Sequence, residues 1–399
     1  MAYIAQQIKT LLNDVIEDLT GQSAAIQDID TTDLVSMGKA ISSMELLEGW
    51  YGKLVNRLAK TVYFVRVYDP KRARSILRDE HEYGAFVQKV YYTAPDFVDN
   101  PEYNIPSGSP AAYTQHSPYD VSAVVAVDAK IFGGQGTFAL EIIRPVDQIR
   151  SAFLSDSEMM RFIDGIYLTI ENKLKLAEEA LVSTAVCTAM AADINGGNVR
   201  NLLTEYNTLH ANDTGFETLT AAQALTDADF LKFASKEINQ LISYMEDMST
   251  AYNVNGYMTF TDRDNLVVEM LADAAAAFDT YASADTFHNE LIALPRYEKV
   301  NKWQFTGQSG KGFDNLSKID VIHDDFKTQA NPTGEITETG IIAFVHDIEH
   351  VAAYFGHRRS WEKYNERDDI YIHGETARKG YAVDLNANGM VFIVKDVTP

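Results

Sequence analysis

The sequence contains little cysteine and few basic residues. Cys187 is the one cysteine among 399 residues, so no disulfide can form within the chain. We expect it to fold in a reducing compartment, with Cys187 as a small core residue. Lysine and arginine number 34 against 57 aspartate and glutamate residues, which gives a formal net charge of -23 at pH 7. Because nucleic-acid binding depends on lysine and arginine contacts to phosphate, this balance argues against a protein that grips DNA, RNA or an anionic membrane.

Segments and motifs that would direct the chain into a membrane or mark a common active site are also missing. Residues 1–8 have no basic region followed by an apolar core, so they do not predict a signal peptide. No window approaches the roughly 20 consecutive apolar residues that a membrane span requires. Neither a phosphate-binding G-x-x-x-x-G-K-[ST] loop nor a G-x-S-x-G nucleophile elbow is present. We therefore expect a soluble protein with no cofactor and no catalytic residue.

The best candidate for catalysis is the run His346-Asp347-Ile348-Glu349-His350. It fits the H-x-x-E-H pattern, in which two histidines bind zinc and the glutamate acts as the base. That chemistry requires the motif to lie on a helix, yet the residues on both sides of it, 341–345 and 351–355, are typical of strands. We predict a polar turn between two strands and no metal site. A metal-dependent hydrolase that uses these five residues stays open as an alternative.

A long amphipathic helix is the strongest structural signal in the sequence. Ser155 or Ser157 can cap its start, and the run Asn195-Gly196-Gly197-Asn198 predicts its end. About 39 residues at 1.5 Å each give a rod of roughly 58 Å, which we expect to be a central spine. Apolar residues recur along it at intervals of three and four: Met159, Ile163, Ile166, Ile170, Leu174, Ala177 and Leu181.

The patterns on either side of this helix predict an α+β fold. Before it, residues 94–118 hold five of the ten prolines and predict a long irregular loop between strands. Such a two-stranded excursion has little core of its own and needs another surface to lie on. Helices are predicted at 4–19, 34–58 and within 221–281, the last including 266–278. Strands are predicted at 61–68, 85–92, 120–127, 137–143, 256–261, 319–322, 340–345, 369–373 and 389–394.

Two basic clusters are candidate interaction sites. Lys71, Arg72, Arg74 and Arg78 are followed at once by acidic residues, which favours a surface that meets an acidic neighbour or is simply solvated. The second cluster lies within residues 357–367, where arginines alternate with aromatic residues. Arginine and aromatic residues together are typical of protein interfaces. A solvated strand edge is the alternative there.

The order of the elements and the terminal block Ala377–Val394 (ARKGYAVDLNANGMVFIV) resemble the major capsid proteins of tailed bacteriophages with the Hong Kong 97-type fold. A weaker likeness lies around residues 295–306. The resemblance implies a structural protein, not an enzyme, that self-assembles into hexamers and pentamers of an icosahedral shell around double-stranded DNA. An acidic wall suits such a container, because it leaves the packaged DNA free to slide. An encapsulin-like shell protein of a bacterial compartment, with the same fold, remains an alternative.

The resemblance also implies a division of the chain into segments. These are an N-terminal arm (1–65), an extended loop (66–130), a peripheral domain with the spine helix (131–215), an axial domain (216–339), return strands of the peripheral domain (340–378) and a C-terminal strand of the axial domain (379–399).

Interfaces and partners follow from the same resemblance. Relatives with a built-in scaffold carry a long helical extension ahead of the arm, whereas this chain begins almost at the arm, so a separate scaffolding protein or a processed precursor is expected. A portal and decoration proteins are further expected partners, with no membrane. The expected location is the virion, after assembly in the host cytoplasm. The residues expected at subunit interfaces are Lys71, Arg72, Arg74, Arg78, Tyr103, Tyr113, Tyr119, Arg358, Arg359, Trp361 and Arg367.

Overall fold

In a computed structural model of the chain, the structure describes residues 77–78, 86–93, 126–133, 136–146, 156–284, 297–304 and 312–396. The helices are α1 (Asp156–Gly196), α2 (Leu202–His210), α3 (Ala221–Ala224), α4 (Ala228–Met245), α5 (Ala272–Ala284) and α6 (Phe313–Leu316), with 3-10 turns at Arg263–Asn265 and Asp324–Phe326. The strands are β1 (Leu77–Arg78), β2 (Phe86–Thr93), β3 (Ala126–Gly133), β4 (Gly136–Pro145), β5 (Val199–Asn201), β6 (Leu266–Leu271), β7 (Glu298–Val300), β8 (Ile319–Ile322), β9 (Glu335–Glu338), β10 (Ile341–Asp347), β11 (Val351–Asn365), β12 (Ile370–Val383) and β13 (Gly389–Ile393).

The predicted spine is the helix α1, whose 41 residues extend about 60 Å. Among the predicted apolar positions, Ile170, Leu174 and Leu181 are buried. The helix ends where the glycine pair predicted, in a Schellman motif. The Asn198 amide donates to the Asp193 carbonyl at 2.8 Å, and the Gly197 amide, in a residue with a φ of 88°, donates to the Ile194 carbonyl at 3.2 Å. Residues 185–193 of the helix are all buried, and the chain reaches the surface again at residues 195–197.

A five-stranded sheet in the order β5-β13-β10-β6-β7 forms the centre of the larger of two compact units, Met1–Glu80 with Gln135–Pro399. All five residues of β13 and six of the seven in β10 are buried, as expected for strands covered on both faces. Helices α1, α2 and α5 pack against the sheet. The largest fully buried side chains of this core are Trp303, Phe230, Phe278, Phe344 and Phe392.

A second sheet of the same unit has the order β1-β11-β12-β4. Its long strands β11 and β12 form an antiparallel ribbon, and α1 packs against both of them. Strand β4 continues the sheet on the other side of β12, in register from Ile370↔Pro145 to Lys379↔Gly136. The spine helix therefore touches both sheets and connects them.

Three predicted elements differ from the structure. Residues 266–278 were predicted as one helix, but Leu266–Leu271 pair with β10 as β6 and the helix starts only at Ala272. Leu-Val-Val suits a strand, and pairing in the sheet outweighs the helical pattern. Residues 256–261 form no strand, because only an isolated bridge links Ser249 and Thr259. The short strand predicted at 369–373 continues as β12 to Val383. Of the strand predicted at 120–127, only Ala126 and Val127 lie among the described residues, at the start of β3.

Several sequence predictions lie outside the described residues. They are the helices before residue 60, the strand at 61–68 and the proline-rich loop at 94–118. The predicted core position of Cys187 is confirmed, because its side chain is buried and its thiol donates to the Trp303 carbonyl at 3.2 Å. Of the helices that the structure describes, none has both the length and the apolar character of a membrane span.

Candidate functional site

An exposed apolar face covers one side of the hairpin of β2 and β3, which is the described part of the smaller compact unit, His81–Gly134. We call the residues Val90, Tyr92, Val127, Ala129 and Ile131 the hairpin face. The register places all five on one side of the ribbon, and all five are exposed, with Ile131 at 67%. A two-stranded hairpin is marginally stable by itself in water, and an apolar patch of this kind marks an interaction surface.

The opposite side of this hairpin is different. Lys89, Tyr91 and Lys130 are half-buried there, and the Lys130 ammonium lies 5.7 Å from the centre of the Tyr91 ring. The hairpin is therefore amphipathic. The alternation of exposed apolar and half-buried residues follows from the runs FVQKVYYT and AVDAKIFG. The predicted interface residues, however, lie in the basic clusters and among the tyrosines at 103–119.

A second apolar surface lies on the four-stranded sheet. Trp361 is paired across the strands with Gly374 and covers it, since a Cβ atom on Gly374 would meet the indole at 2.1 Å. Ile143 on β4 and Ile372 on β12 are paired with each other across the strands. They lie on the same side of the sheet as Trp361, two residues along β12 from Gly374. We call Trp361, Ile143 and Ile372 the sheet face. Trp361 is 36% exposed, so the predicted interface residue is available for contact.

The other predicted interface residues have different environments. The Arg358 side chain is only 10% exposed and forms an ion pair with the buried Glu375, to which its Nε donates at 2.7 Å. Burial alone raises the pKa of Glu375, but His373, 3.7 Å away, and Arg358 outweigh it and lower this pKa. The charge of Arg358 is thus used within the subunit. Arg359 and Arg367 are exposed.

Arg78 lies in β1, which pairs in parallel with β11 opposite Tyr354. Lying outside the described residues are Lys71, Arg72, Arg74, Tyr103, Tyr113 and Tyr119.

A third apolar surface was not predicted and lies on the loop at 246–262. The bridge between Ser249 and Thr259 places Met248, Met258 and Phe260 together on its other side, and all three are exposed. We call these three residues the loop patch.

The loop patch has a rigid base. Thr261 donates from its hydroxyl to Asp347 Oδ2 at 2.7 Å, and Asn255 donates to the Asn386 side chain at 2.7 Å. The Asn253 side chain donates to the Tyr257 carbonyl and accepts from the Tyr257 amide, both at 2.7 Å. A surface that is held in place in this way loses little entropy when it binds.

The H-x-x-E-H run is the polar turn that the flanking strands predicted. His346 lies in β10, residues 348–350 form the turn, and β11 follows. Both histidines are fully buried, whereas Glu349 is exposed. The helical arrangement that would direct all three side chains at one metal is therefore absent. In the part of the chain that the structure describes, no three His, Cys, Asp or Glu side chains form a group that could hold a metal ion.

The two buried histidines have different hydrogen-bond partners. His346 Nδ1 lies 2.8 Å from the Asp347 carbonyl oxygen. His350 Nδ1 lies 2.8 Å from the Asp384 carbonyl oxygen, and its Nε2 lies 3.1 Å from Asp193 Oδ2 on α1. Burial, reinforced by the charge of His350, lowers the pKa of His346 to about 3.

A model of the Phi29-like phage major capsid protein family matches residues 8–393. The chain belongs to this family. It is a structural protein of the phage head shell, and its place is in the virion. The encapsulin-like compartment protein and the metal-dependent hydrolase, which were the alternatives, find no support.

Solved structures show the same fold for this capsid protein. A chain in the capsid structure of Staphylococcus phage Andhra is 13% identical, with a TM-score of 0.51, over 83% of this chain and 86% of that one. A chain in the structure of the head fiber and inner core protein gp22 of native bacteriophage P68 is 13% identical, with a TM-score of 0.51, over 81% and 84%. The fold is the Hong Kong 97-type capsid fold, as the resemblance implied. No curated protein matches the sequence.

Acid is expected to destabilise the capsid protein through His346. Its pKa is about 3 in the folded chain and about 6.5 when unfolded, so between these values only the unfolded state takes up the proton. Stability therefore falls as the pH drops through this window, by at most about 5 kcal/mol from this residue. Urea unfolding at pH 7, 5 and 4 measures the loss.

Two variants separate His346 from the other groups that titrate in acid. His346→Gln is expected to lose clearly less stability between pH 7 and pH 4 than the wild type. His210→Gln makes the same substitution at a partly exposed histidine of α2 and serves as the matched control. Equal acid sensitivity of the wild type and His346→Gln would contradict the assignment.

Proposed function

We propose that the capsid protein forms the hexamers and pentamers of an icosahedral head that encloses double-stranded DNA. The observation that carries this proposal is the hairpin face, because five exposed apolar side chains on a two-stranded ribbon require a covering surface. In a shell of identical subunits, a neighbouring copy supplies that surface. We propose that the chain has no catalytic activity. We also propose that it assembles in the host cytoplasm.

The contacts between copies are proposed at the level of surfaces. The hairpin face of one copy covers the sheet face of a neighbour, so that Tyr92 and Ile131 meet Trp361 and the two isoleucines beside it. Arg359 and Arg367 supply the polar rim, together with the tyrosines of the proline-rich loop and the basic cluster at 71–78. The loop patch contacts the next copy around the axis of each hexamer or pentamer.

The division into arm, extended loop, peripheral domain and axial domain also stays a proposal. The pairing of the strands supports moving one boundary. Strand β10 lies between β13 and β6 in the central sheet, so the return strands of the peripheral domain are better assigned to β11 and β12 than to residues from 340 onward.

The enclosed DNA is proposed to be held without specific binding. A formal net charge of -23 leaves few positive groups to neutralise phosphates, so DNA is confined by the wall and not bound to it. A scaffolding protein, a portal and decoration proteins remain predicted partners.

The function is tested by electron microscopy and mass photometry of the purified chain, with and without a candidate scaffolding protein. Closed shells, or rings that convert to shells, are the expected result. A monomer or dimer that never assembles under either condition would overturn the proposal. Assembly only in the sample that contains the scaffolding protein would identify a scaffold requirement.

Substituting the hairpin face is expected to block assembly without unfolding the subunit. Ile131→Asn places an amide in the apolar surface and is expected to reduce shell yield at least tenfold. Because Ile131 is exposed in the single chain, the thermal midpoint of the variant subunit should change little. Ile322→Asn alters an equally exposed isoleucine, at 68%, outside the hairpin and should assemble normally. Normal shells from Ile131→Asn would exclude the hairpin face from the interface.

A further inference from the structure

Three elements meet at a buried point near the end of the spine helix. Asp193 lies in the last turn of α1, His350 ends the turn between β10 and β11, and Gly389 begins β13. Asp193 and His350 have no exposed surface, and Asp193 Oδ2 lies 3.1 Å from His350 Nε2. Their positions in the sequence are 157 residues apart, so the pair joins distant parts of the chain.

The partners of His350 determine its protonation state. A backbone carbonyl can only accept a hydrogen bond, so the Asp384 carbonyl requires a proton on His350 Nδ1. The Asp193 carboxylate likewise accepts from Nε2. With hydrogens on both nitrogens, His350 is an imidazolium cation that is paired with an aspartate anion. His346 has a partner on Nδ1 alone, since its buried Nε2 makes no hydrogen bond, and it is neutral.

The groups around His350 favour this charge. Burial by itself lowers the pKa of His350, but the charge and hydrogen bond of Asp193, together with Asp384, outweigh it and raise this pKa above its ordinary value. Asp193 comes from α1 and Asp384 from the turn after β12. On β10, the groups that face His350 are the neutral His346 and the apolar ring of Phe344, whose centre is 6.0 Å from that of His350.

The absence of a side chain at residue 389 leaves room for the pair. A Cβ atom there would lie 2.4 Å from Asp193 Oδ2 and 2.9 Å from His350 Nε2. Close contact between the two charged groups therefore depends on glycine at position 389.

We propose that the His350–Asp193 pair is an alkaline-sensitive lock that holds the end of the spine helix onto the central sheet. When His350 loses its proton, the buried Asp193 carboxylate loses its counter-charge, and its Oδ1 already has no hydrogen-bond partner. A buried carboxylate without a partner is strongly destabilising, so local separation of the helix end admits water and relieves it. Since the pKa of His350 is raised on folding, the stabilisation is present at neutral and lower pH and is lost as the pH rises through the folded pKa.

The test uses the unassembled full-length chain with 15N-labelled histidine. Nuclear magnetic resonance at pH 6 to 10 is expected to show His350 with both ring nitrogens protonated at pH 7, and this form should disappear as the pH rises through the folded pKa of His350. Hydrogen exchange of amides 190–198 is expected to accelerate at the same pH, at least tenfold beyond the intrinsic increase. A neutral His350 at pH 7, or exchange at 190–198 that follows only the intrinsic rate, would overturn the proposal.

Two variants assign the signal and its effect. His350→Gln should lack the doubly protonated signal and show no alkaline step in the exchange of 190–198. His346→Gln removes the buried histidine of β10 and should keep both the doubly protonated signal and the alkaline step. An alkaline step that persists in His350→Gln would refute the lock. If His350→Gln does not fold, the titration of the wild type and of His346→Gln still decides. None of these measurements depends on whether the chain forms shells.

Discussion

Gly389→Ala is expected to destabilise the subunit by about 3–5 kcal/mol, the cost of breaking one side of a buried ion pair. The added Cβ atom would lie 2.4 Å from Asp193 Oδ2 and 2.9 Å from His350 Nε2, both closer than real contacts of a Cβ atom. Neither group can retreat easily, because His350 is hydrogen-bonded to the Asp384 carbonyl and Asp193 lies in the stretch 185–193 of α1, in which every residue is buried. Separating the two charges leaves each of them without a partner in the core.

Chemical unfolding at pH 7 measures this loss, and a second glycine supplies the control. Gly136 also begins a strand, β4, but a Cβ atom there would meet atoms of Lys379 at 3.7 Å or more, which is ordinary van der Waals contact. Gly136→Ala should therefore change the free energy of unfolding by no more than about 0.5 kcal/mol. A loss below about 1 kcal/mol for Gly389→Ala would show that the pair is not confined as described.

Trp303→Ala is expected to cost about 3–5 kcal/mol, as for other large aromatic residues in a core. Trp303 is fully buried, and its indole nitrogen donates to the Ile341 carbonyl at 2.8 Å. Its own carbonyl accepts from the Ser183 hydroxyl at 2.6 Å and from Cys187 on the same helix. The side chain thus fills the space beside β10, while the backbone of the same residue is fixed to α1.

A graded pair of variants tests this role. Trp303→Phe keeps most of the apolar volume but leaves the Ile341 carbonyl without its donor, so a smaller loss of about 1–3 kcal/mol is expected. Trp361→Ala removes a tryptophan that is 36% exposed and should cost no more than Trp303→Phe, with its main effect on shell yield. A larger loss for Trp361→Ala than for Trp303→Ala would contradict the assignment of one residue to the core and the other to the surface.

Local patterns in the sequence were sufficient to predict the spine helix and the turn at 346–350. The burial of Ile170, Leu174 and Leu181 follows from their spacing, and the Gly-Gly pair at 196–197 fixes the helix end through backbone geometry. The strand character on both sides of the histidines was enough to reject a helical zinc motif. In each case the deciding interactions lie within a few residues of one another.

Pairing between distant segments could not be predicted in the same way. The segment 266–271 is compatible with a helix that continues into the alanines after it, and only β10 makes it a strand. Arg358 was predicted at an interface, but a shift of register between Gly356 and Arg359 brings it to Glu375 on the next strand. The contact of Asp193 with His350 depends on the packing of α1 against the central sheet, which periodicity does not encode.

The position of β13 in the central sheet has a consequence for protein synthesis. This strand comes later in the chain than all four of its companions, yet it lies between β5 and β10 and bonds to both of them. While residues 389–393 are still inside the ribosome, β5 has no strand beside it, and the sheet remains open in its middle. Closing it is a long-range step that has to wait for β13, so folding of this sheet is expected to be slow. A nascent polypeptide that lacks β13 cannot complete the core.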